Sequence, residues 1–272
     1  MAELPGLLRV APGAALDLAS VDPRSTPGFH GDKDAAAAEL KALRAELEEF
    51  QLRLWAEGQQ SLLIVLQAMD AGGKDGTIRK VFTAFNPQGT SVTGFGVPTE
   101  EELAHDFLWR INRHTPGKGR IGIFNRSHYE DVLVVRVAEL APESVWSRRY
   151  DQINAWEALL AASGTRIIKL FLHISRDEQR ERFQKRLADP AKQWKFSMGD
   201  LEVRERWDAY QRAYTDALAR CSTPEAPWFV VPADRKWYRD LAVARIVAAS
   251  AREMDPRYPA PEDDLSGVVI PE

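Results

Sequence analysis

The chain has 272 residues, 44% of them apolar and 28% charged, with a formal net charge of −4; this balance fits one large α/β domain and argues against a broad nucleic-acid-binding face. Its single cysteine, Cys221, cannot form an internal disulfide, and no His/Cys spacing fits zinc, so a stapled or zinc-built scaffold is excluded and Cys221 is expected to be a buried small residue. No apolar run is long enough to span a bilayer, and the opening MAELPGLLRVAPG is interrupted by Pro5, Gly6 and Arg9, so a cytoplasmic protein without a membrane partner is expected.

Residues 1–31 are rich in Pro, Gly and Ala without a period, which predicts an arm extended over the surface or partly disordered. From Asp32 onward Leu40, Leu43, Leu47, Phe50 and Leu54 recur at spacings of three and four, with Asp32 or Asp34 as cap and Gly58 as stop. That spacing predicts an amphipathic helix laid on a core. SLLIVLQ (61–67) then reads as a buried strand, followed by the β-rich runs TSVTGF (90–95), RIGIFN (120–125), TRIIKLFLHIS (165–175) and WFVVPA (228–233). Helical stretches separate these runs, the signature of a parallel sheet covered on both faces, whose ligands bind at the strands' carboxyl ends.

The first strand runs into AMDAGGKDGT (68–77), a phosphate loop with unusual spelling. Against the pattern G-x-x-x-x-G-K-[ST], Ala68 replaces the first glycine, Asp75 replaces the hydroxyl after Lys74, and Asp70 lies inside the loop. Strand, glycine turn, lysine and helix are what phosphate binding requires, because amides at a helix N-terminus face the anion and lysine neutralises it. Ala71, Gly72, Gly73, Lys74, Asp75, Gly76 and Thr77 are therefore expected to hold phosphate. Carboxylates in such a loop would repel the substrate unless a cation intervenes, so Asp70 and Asp75 point to Mg²⁺, with Mn²⁺ able to substitute. Asp75 has a second reading as a cap for the following helix.

After the second strand, Phe95 with Gly96, Val97 and Pro98 forms a loop that can line an acceptor site, with Phe95 or the later Trp194 as aromatic platforms. Thr99 is expected to cap a helix with Leu103, Phe107 and Leu108 facing inward and Glu100 to Glu102 complementing its dipole. Trp109, Trp156 and Trp207 lie in helical patterns and are assigned to packing. The strand RIGIF ends in NRSHYED (125–131), a second acidic element beside the loop. Arg126 there can meet charge developing on a transferring group, while Glu130 and Asp131 need not share one role. His128 and Tyr129 are expected to pack or hydrogen-bond, with a catalytic His128 as the minor reading.

From about 176 to 220 the sequence becomes highly charged around one break, ADPAKQWKFSMGD, which predicts a helix–loop–helix insertion serving as a lid. Between Arg176 and Lys195 seven basic residues face four acidic ones. Arg182 and Arg186, four apart, share a helical face whose bidentate geometry suits phosphate better than lysine would.

DAGGKDGTIRK, GVPTEEELAHDFLWR, IFNRSHYEDVLVVRV and KRLADPAKQWKFSMGDLEVRERWDAY, in that order, resemble the second family of polyphosphate kinases. The resemblance implies a P-loop kinase-like three-layer sandwich, with a five-stranded parallel sheet and a helical lid insertion, over 32–255, between the arm and a tail at 256–272. It implies Mg²⁺-dependent, reversible transfer of the terminal phosphoryl of inorganic polyphosphate to nucleotides, and a homodimer or homotetramer. Carried over, it gives phosphate binding to Gly72, Gly73 and Lys74, the metal-bound group to Asp70 and Asp131, and its stabilisation to Arg126. Arg176, Arg182, Arg186, Lys192 and Lys195 would grip the polyanion from the lid. SHYEDVLVVRV places Glu130 where the ADP-phosphorylating subgroup has Asn, a pattern that resembles the class III subgroup using AMP and ADP, with GMP and GDP as weaker acceptors. The competing expectation is an ATP-dependent nucleoside or nucleotide kinase on the same fold, which favours the loop glycine and hydroxyl missing here.

Overall fold

Each of the five apolar runs becomes a strand of one sheet. The computed structural model describes residues 4–271. In chain order it contains α1 Leu4–Leu8, α2 Lys33–Glu57, β1 Ser61–Gln67, α3 Lys74–Val81, β2 Thr90–Gly94, α4 Glu100–Leu103, α5 Trp109–Asn112 and β3 Ile121–Asn125. It continues through α6 Val134–Val137, α7 Glu143–Ala162, β4 Thr165–His173, α8 Arg176–Leu187, α9 Met198–Glu205, α10 Trp207–Cys221, β5 Trp228–Pro232 and α11 Lys236–Met254. The five strands form one sheet in the order β2-β3-β1-β4-β5, and each neighbouring pair is parallel. Every residue of β1 is buried, as a central parallel strand between two helical layers requires. Its Leu66 pairs with Asn125 of β3, so the loop after β1 and the acidic turn after β3 leave the sheet side by side. Among the described residues no helix is long and apolar enough to cross a membrane.

α2 begins and ends where its sequence dictates. The Asp32 carboxylate accepts from the Asp34 and Ala35 amides at 3.1 and 2.8 Å, and Gly58 closes the helix in the left-handed region at φ 65°, the usual stop for a helix. Its stripe from Leu40 to Leu54 is buried against α11, and Arg245 of α11 binds Glu39 of α2 at 2.6 Å through Nη2.

Three expectations are corrected. The N-terminal arm is not loose: Leu4, Leu8, Val10, Leu18 and Phe29 are buried, and the Val10 amide donates to the Trp228 carbonyl at 2.9 Å, so apolar side chains spaced along the arm seal the β5 edge. The lid is smaller than 176–220. α10 buries Trp207, Tyr210, Tyr214, Ala217, Leu218 and Cys221 and belongs to the core, leaving the end of α8, the turn at Gln193–Lys195 and α9 as the solvated part. α4 is a single turn, so Leu103 is 69% exposed rather than inward-facing. Glu102 there does more than complement a dipole: it completes a capping box with Thr99 and lies 3.6 Å from Arg110.

Candidate functional site

The phosphate loop takes a shape that its glycines permit. A Cβ on Gly72 would lie 2.4 Å from the Ala68 Cβ, and Gly73 has φ 107° with the Arg239 Nη1 only 2.0 Å from where its Cβ would be. The Thr77 amide donates to the Gly73 carbonyl at 2.9 Å, and the amides ahead of it are those a helix N-terminus leaves open for an anion. Lys74 Nζ donates to the Ala68 carbonyl at 3.0 Å; burial, then the nearby Arg126, lower its pKa, against the pull of Asp70 and Glu130. Arg126 leaves β3 in the left-handed region at φ 64°, its amide held by the Leu66 carbonyl at 3.0 Å. That turn, costly for a non-glycine residue, brings its Nη2 to 2.8 Å from the Asp70 Oδ1.

A cavity of about 650 Å³ opens over this group, lined among others by Asp70, Arg126, Glu130, Val203, Tyr210 and Tyr214. Glu130 has a raised pKa because it is buried, opposed by Arg126 and Lys74. One side of the cavity thus carries the loop and turn charges Asp70, Arg126 and Glu130, and the other combines the apolar and aromatic side chains of Val134, Val203, Tyr210 and Tyr214 with the charged Asp200, Glu202 and Arg206. The expected pairing of Asp70 with Asp131 is not what the structure brings together. Asp131 lines a separate cavity of about 110 Å³ with Arg110 and Arg149, and its Oδ1 accepts from Arg149 Nη1 at 2.9 Å. Burial raises its pKa to about 6 against the pull of Arg149. Residues 128–131 form a 3₁₀ turn, in which neighbours point about 120° apart, so Glu130 is the acid that shares the cavity with Asp70.

Other expected site residues divide likewise. Asp75 does not cap its helix; its carboxylate accepts from Asn125 Nδ2 at 2.9 Å and lies 3.7 Å from Lys195, while Thr77 is buried in the first turn of α3. Arg182 is corrected from polyanion grip to scaffold: it is buried and donates to the Ala71 and Ala233 carbonyls at 2.9 and 2.7 Å. Arg186 lies 3.6 Å from Asp200, Lys192 pairs with Asp189, and Arg176, Lys192 and Lys195 are exposed. Phe95 is no base platform, being 6% exposed and packed edge-on against Phe124 at 4.9 Å. Trp194 stands 77% exposed outside both cavities. The Gly96 carbonyl accepts from Arg110, Val97 lines the large cavity and Pro98 the small one.

The polyphosphate kinase 2 family profile matches residues 30–259. The chain belongs to the polyphosphate kinase 2 family. It is 53% identical, over 96% of its length and 98% of the relative's, to the AMP/ADP-polyphosphate phosphotransferase of Meiothermus ruber. It is 43% identical, over 92% of its length and 91% of the relative's, to the ADP-polyphosphate phosphotransferase of Rhodopseudomonas palustris. The crystal structure of polyphosphate kinase 2 from Arthrobacter aurescens TC1 superposes with a TM-score of 0.94 at 44% identity, covering 97% of this chain and 94% of that one. The five-stranded parallel sheet expected from the sequence is therefore a polyphosphate kinase 2 fold.

In this polyphosphate kinase 2 fold several site-shaping residues escaped the sequence reading. Tyr210 and Tyr214 carried a signal, spaced four apart with Trp207 and Leu218 on one helical stripe, but the charges around them suggested a solvated lid. Arg239, whose Nε and Nη2 both donate to Asp240 Oδ1, carried none, since only the fold places it under Gly73. His128 takes the packing role. It is fully buried, burial lowers its pKa, and its Nε2 lies 3.2 Å from Glu157, which shares that carboxylate with Tyr129 and Lys169. This buried group of four fixes the turn from which Glu130 projects.

Proposed function

We propose that this polyphosphate kinase 2 transfers the terminal phosphoryl group of inorganic polyphosphate to AMP and ADP, forming ADP and ATP reversibly, with GMP and GDP as weaker acceptors. The observation that carries this reading is the single cavity that brings the loop's Asp70 together with Arg126 and Glu130 and sets them beside the aromatic rings of Tyr210 and Tyr214. The open amides of α3 and Lys74 bind the anhydride, and Arg126 stabilises charge on the group in flight. Asp70 holds the Arg126 guanidinium in place. The wall of Val203, Tyr210 and Tyr214 suits a purine. No general base is needed at neutral pH, because the second pKa of a phosphate acceptor is about 6 and its attacking oxygen is already ionised.

The donor set fits Mg²⁺. Asp70 and Glu130 offer hard carboxylate oxygens on one cavity, and the Gln67 Oε1 at the tip of β1 is buried without a hydrogen-bond partner. Among the described residues no cluster of three or more acidic, His or Cys side chains forms a complete cage. Mg²⁺ characteristically uses one or two carboxylates and completes its shell with water and substrate phosphates. When bound, it would neutralise the two polyanions enough for them to approach. From the lid, Arg176, Arg186, Lys192 and Lys195 supply the positive surface for the donor chain, and the family resemblance supports a homodimer or homotetramer.

Purified protein with Mg²⁺, AMP and polyphosphate but no ATP tests this reading, with products followed by ³¹P NMR. ADP and then ATP are expected; ADP formation only after ATP is supplied would assign an ordinary nucleotide kinase instead.

A further inference from the structure

Gln179 is a fully buried glutamine on α8 whose amide is used at both ends. Its Nε2 donates to the Asp70 carbonyl at 2.9 Å, and its Oε1 accepts from Arg204 Nη1 of α9 at 3.0 Å. The same Arg204 Nη1 reaches the Arg176 carbonyl at the start of α8 at 2.6 Å. One helical turn beyond Gln179, Arg182 Nη1 holds the Ala71 carbonyl at 2.9 Å. α8 thus grips two successive carbonyls of the phosphate loop, one belonging to the acid beside Arg126 and the other to a residue in the left-handed region at φ 60°. α9, at the other end of the chain of bonds, supplies Asp200, Glu202 and Val203 to the cavity.

Only an amide fits this position. It must donate to a carbonyl on one side and accept from a guanidinium on the other, whereas a carboxylate would set oxygen against oxygen at Asp70 and an apolar side chain would leave both partners unmet. We propose that Gln179 is a positioning residue that couples the seating of α9 to the geometry of Asp70, so that the loop is held in its phosphate-accepting shape when α9 closes the cavity. With α9 docked, Arg204 fixes the amide oxygen and thereby aims the NH₂ at the loop; with α9 lifted, the amide turns freely and the loop loosens. Because coupling is reciprocal, an anion bound at the loop also seats α9. This inference rests on the phosphotransferase reading for its purpose, but not for its test.

The test is hydrogen exchange on the full-length protein, with and without inorganic tripolyphosphate as probe. Arg204→Met, at a half-buried lid position, is expected to speed exchange of the amides at 70–76 by about tenfold, a typical size for allosteric coupling. Gln179→Glu keeps the shape and the Arg204 partner, so it is expected to loosen the same amides while α9 exchanges as in the wild type. Tripolyphosphate is expected to slow α9 exchange in the wild type and in neither variant. In turnover, each variant is expected to lower kcat about tenfold with little change in the KM for AMP, and Gln179→Met combined with Arg204→Met to be no worse than either alone. Unchanged loop exchange in Arg204→Met, or additive losses in the double variant, would overturn the coupling. Failure of the wild type to use polyphosphate would instead strike the function and leave the exchange result standing.

Discussion

Lys74 is held out of water with Arg126 as its cationic neighbour, and both effects lower its pKa against the pull of Asp70, Glu130 and Asp75; an anion bound at the loop would favour its charged form. Lys74→Met is expected to reduce polyphosphate-dependent ADP formation by about 10²–10³, the usual loss for one preorganised charge-stabilising donor. Its melting temperature should stay level or rise, because an unfavourably buried ammonium has gone. Initial rates and thermal denaturation check both halves. Asp131 gives a pH signature of its own. Its carboxyl titrates near 3.8 when unfolded and about 6 when folded, so between those values the folded chain keeps a proton that the unfolded chain has released. Stability from this group is thus greatest at low pH and declines as pH rises through the window, by about 3 kcal/mol in full. In chemical denaturation, Asp131→Asn should become progressively more stable relative to wild type between about pH 4 and pH 7, whereas a constant difference would contradict the assignment. That Lys74 and Asp70 share one loop was legible because they belong to one contiguous motif. That Glu130 rather than Asp131 lines the cavity of Asp70 was not, because a 3₁₀ turn and the contacts of Arg110 and Arg149 decide it.

At the scale of elements, the turn from β1 into α3 depends on Gly73. Alanine there would adopt φ 107° and meet Arg239 Nη1 at 2.0 Å, where left-handed backbone alone costs a non-glycine residue about 1–2 kcal/mol. Gly73→Ala is expected to lower the melting temperature and to abolish turnover. Gly94→Ala at the exposed end of β2, where a Cβ meets nothing within 4 Å, should change neither. A normal rate in Gly73→Ala would contradict the loop geometry. Elements with their own punctuation were legible in advance, as α2 shows with Asp32 at its start and Gly58 at its end. α10 was misplaced in the lid although its buried residues recur at helical spacing, because Arg212, Asp216 and Arg220 on its other face gave the segment the look of a solvated hairpin. The arm was misread for the opposite reason: its apolar residues follow no period, since they are fitted individually to the β5 edge and α11.

The whole molecule is a device for setting two strand tips beside each other. β1 and β3 are neighbours in the sheet, one delivering the loop with Asp70 and Lys74 and the other Arg126 and Glu130, while α9 and α10 cross above them to wall the cavity. The strand count and parallel direction were visible as alternating apolar runs and helices; which helices would close over the tips was not, because that depends on contacts between segments more than a hundred residues apart, as between Gln179 and Asp70. The central claim is that an acid placed inside the phosphate loop organises cation and transferring group together. The most direct measurement is the initial rate of ADP formation from AMP and polyphosphate by Asp70→Asn, beside wild type, as Mg²⁺ is titrated. The account predicts a lower maximal rate and a half-saturating Mg²⁺ concentration raised about tenfold or more; superimposable Mg²⁺ curves would contradict it.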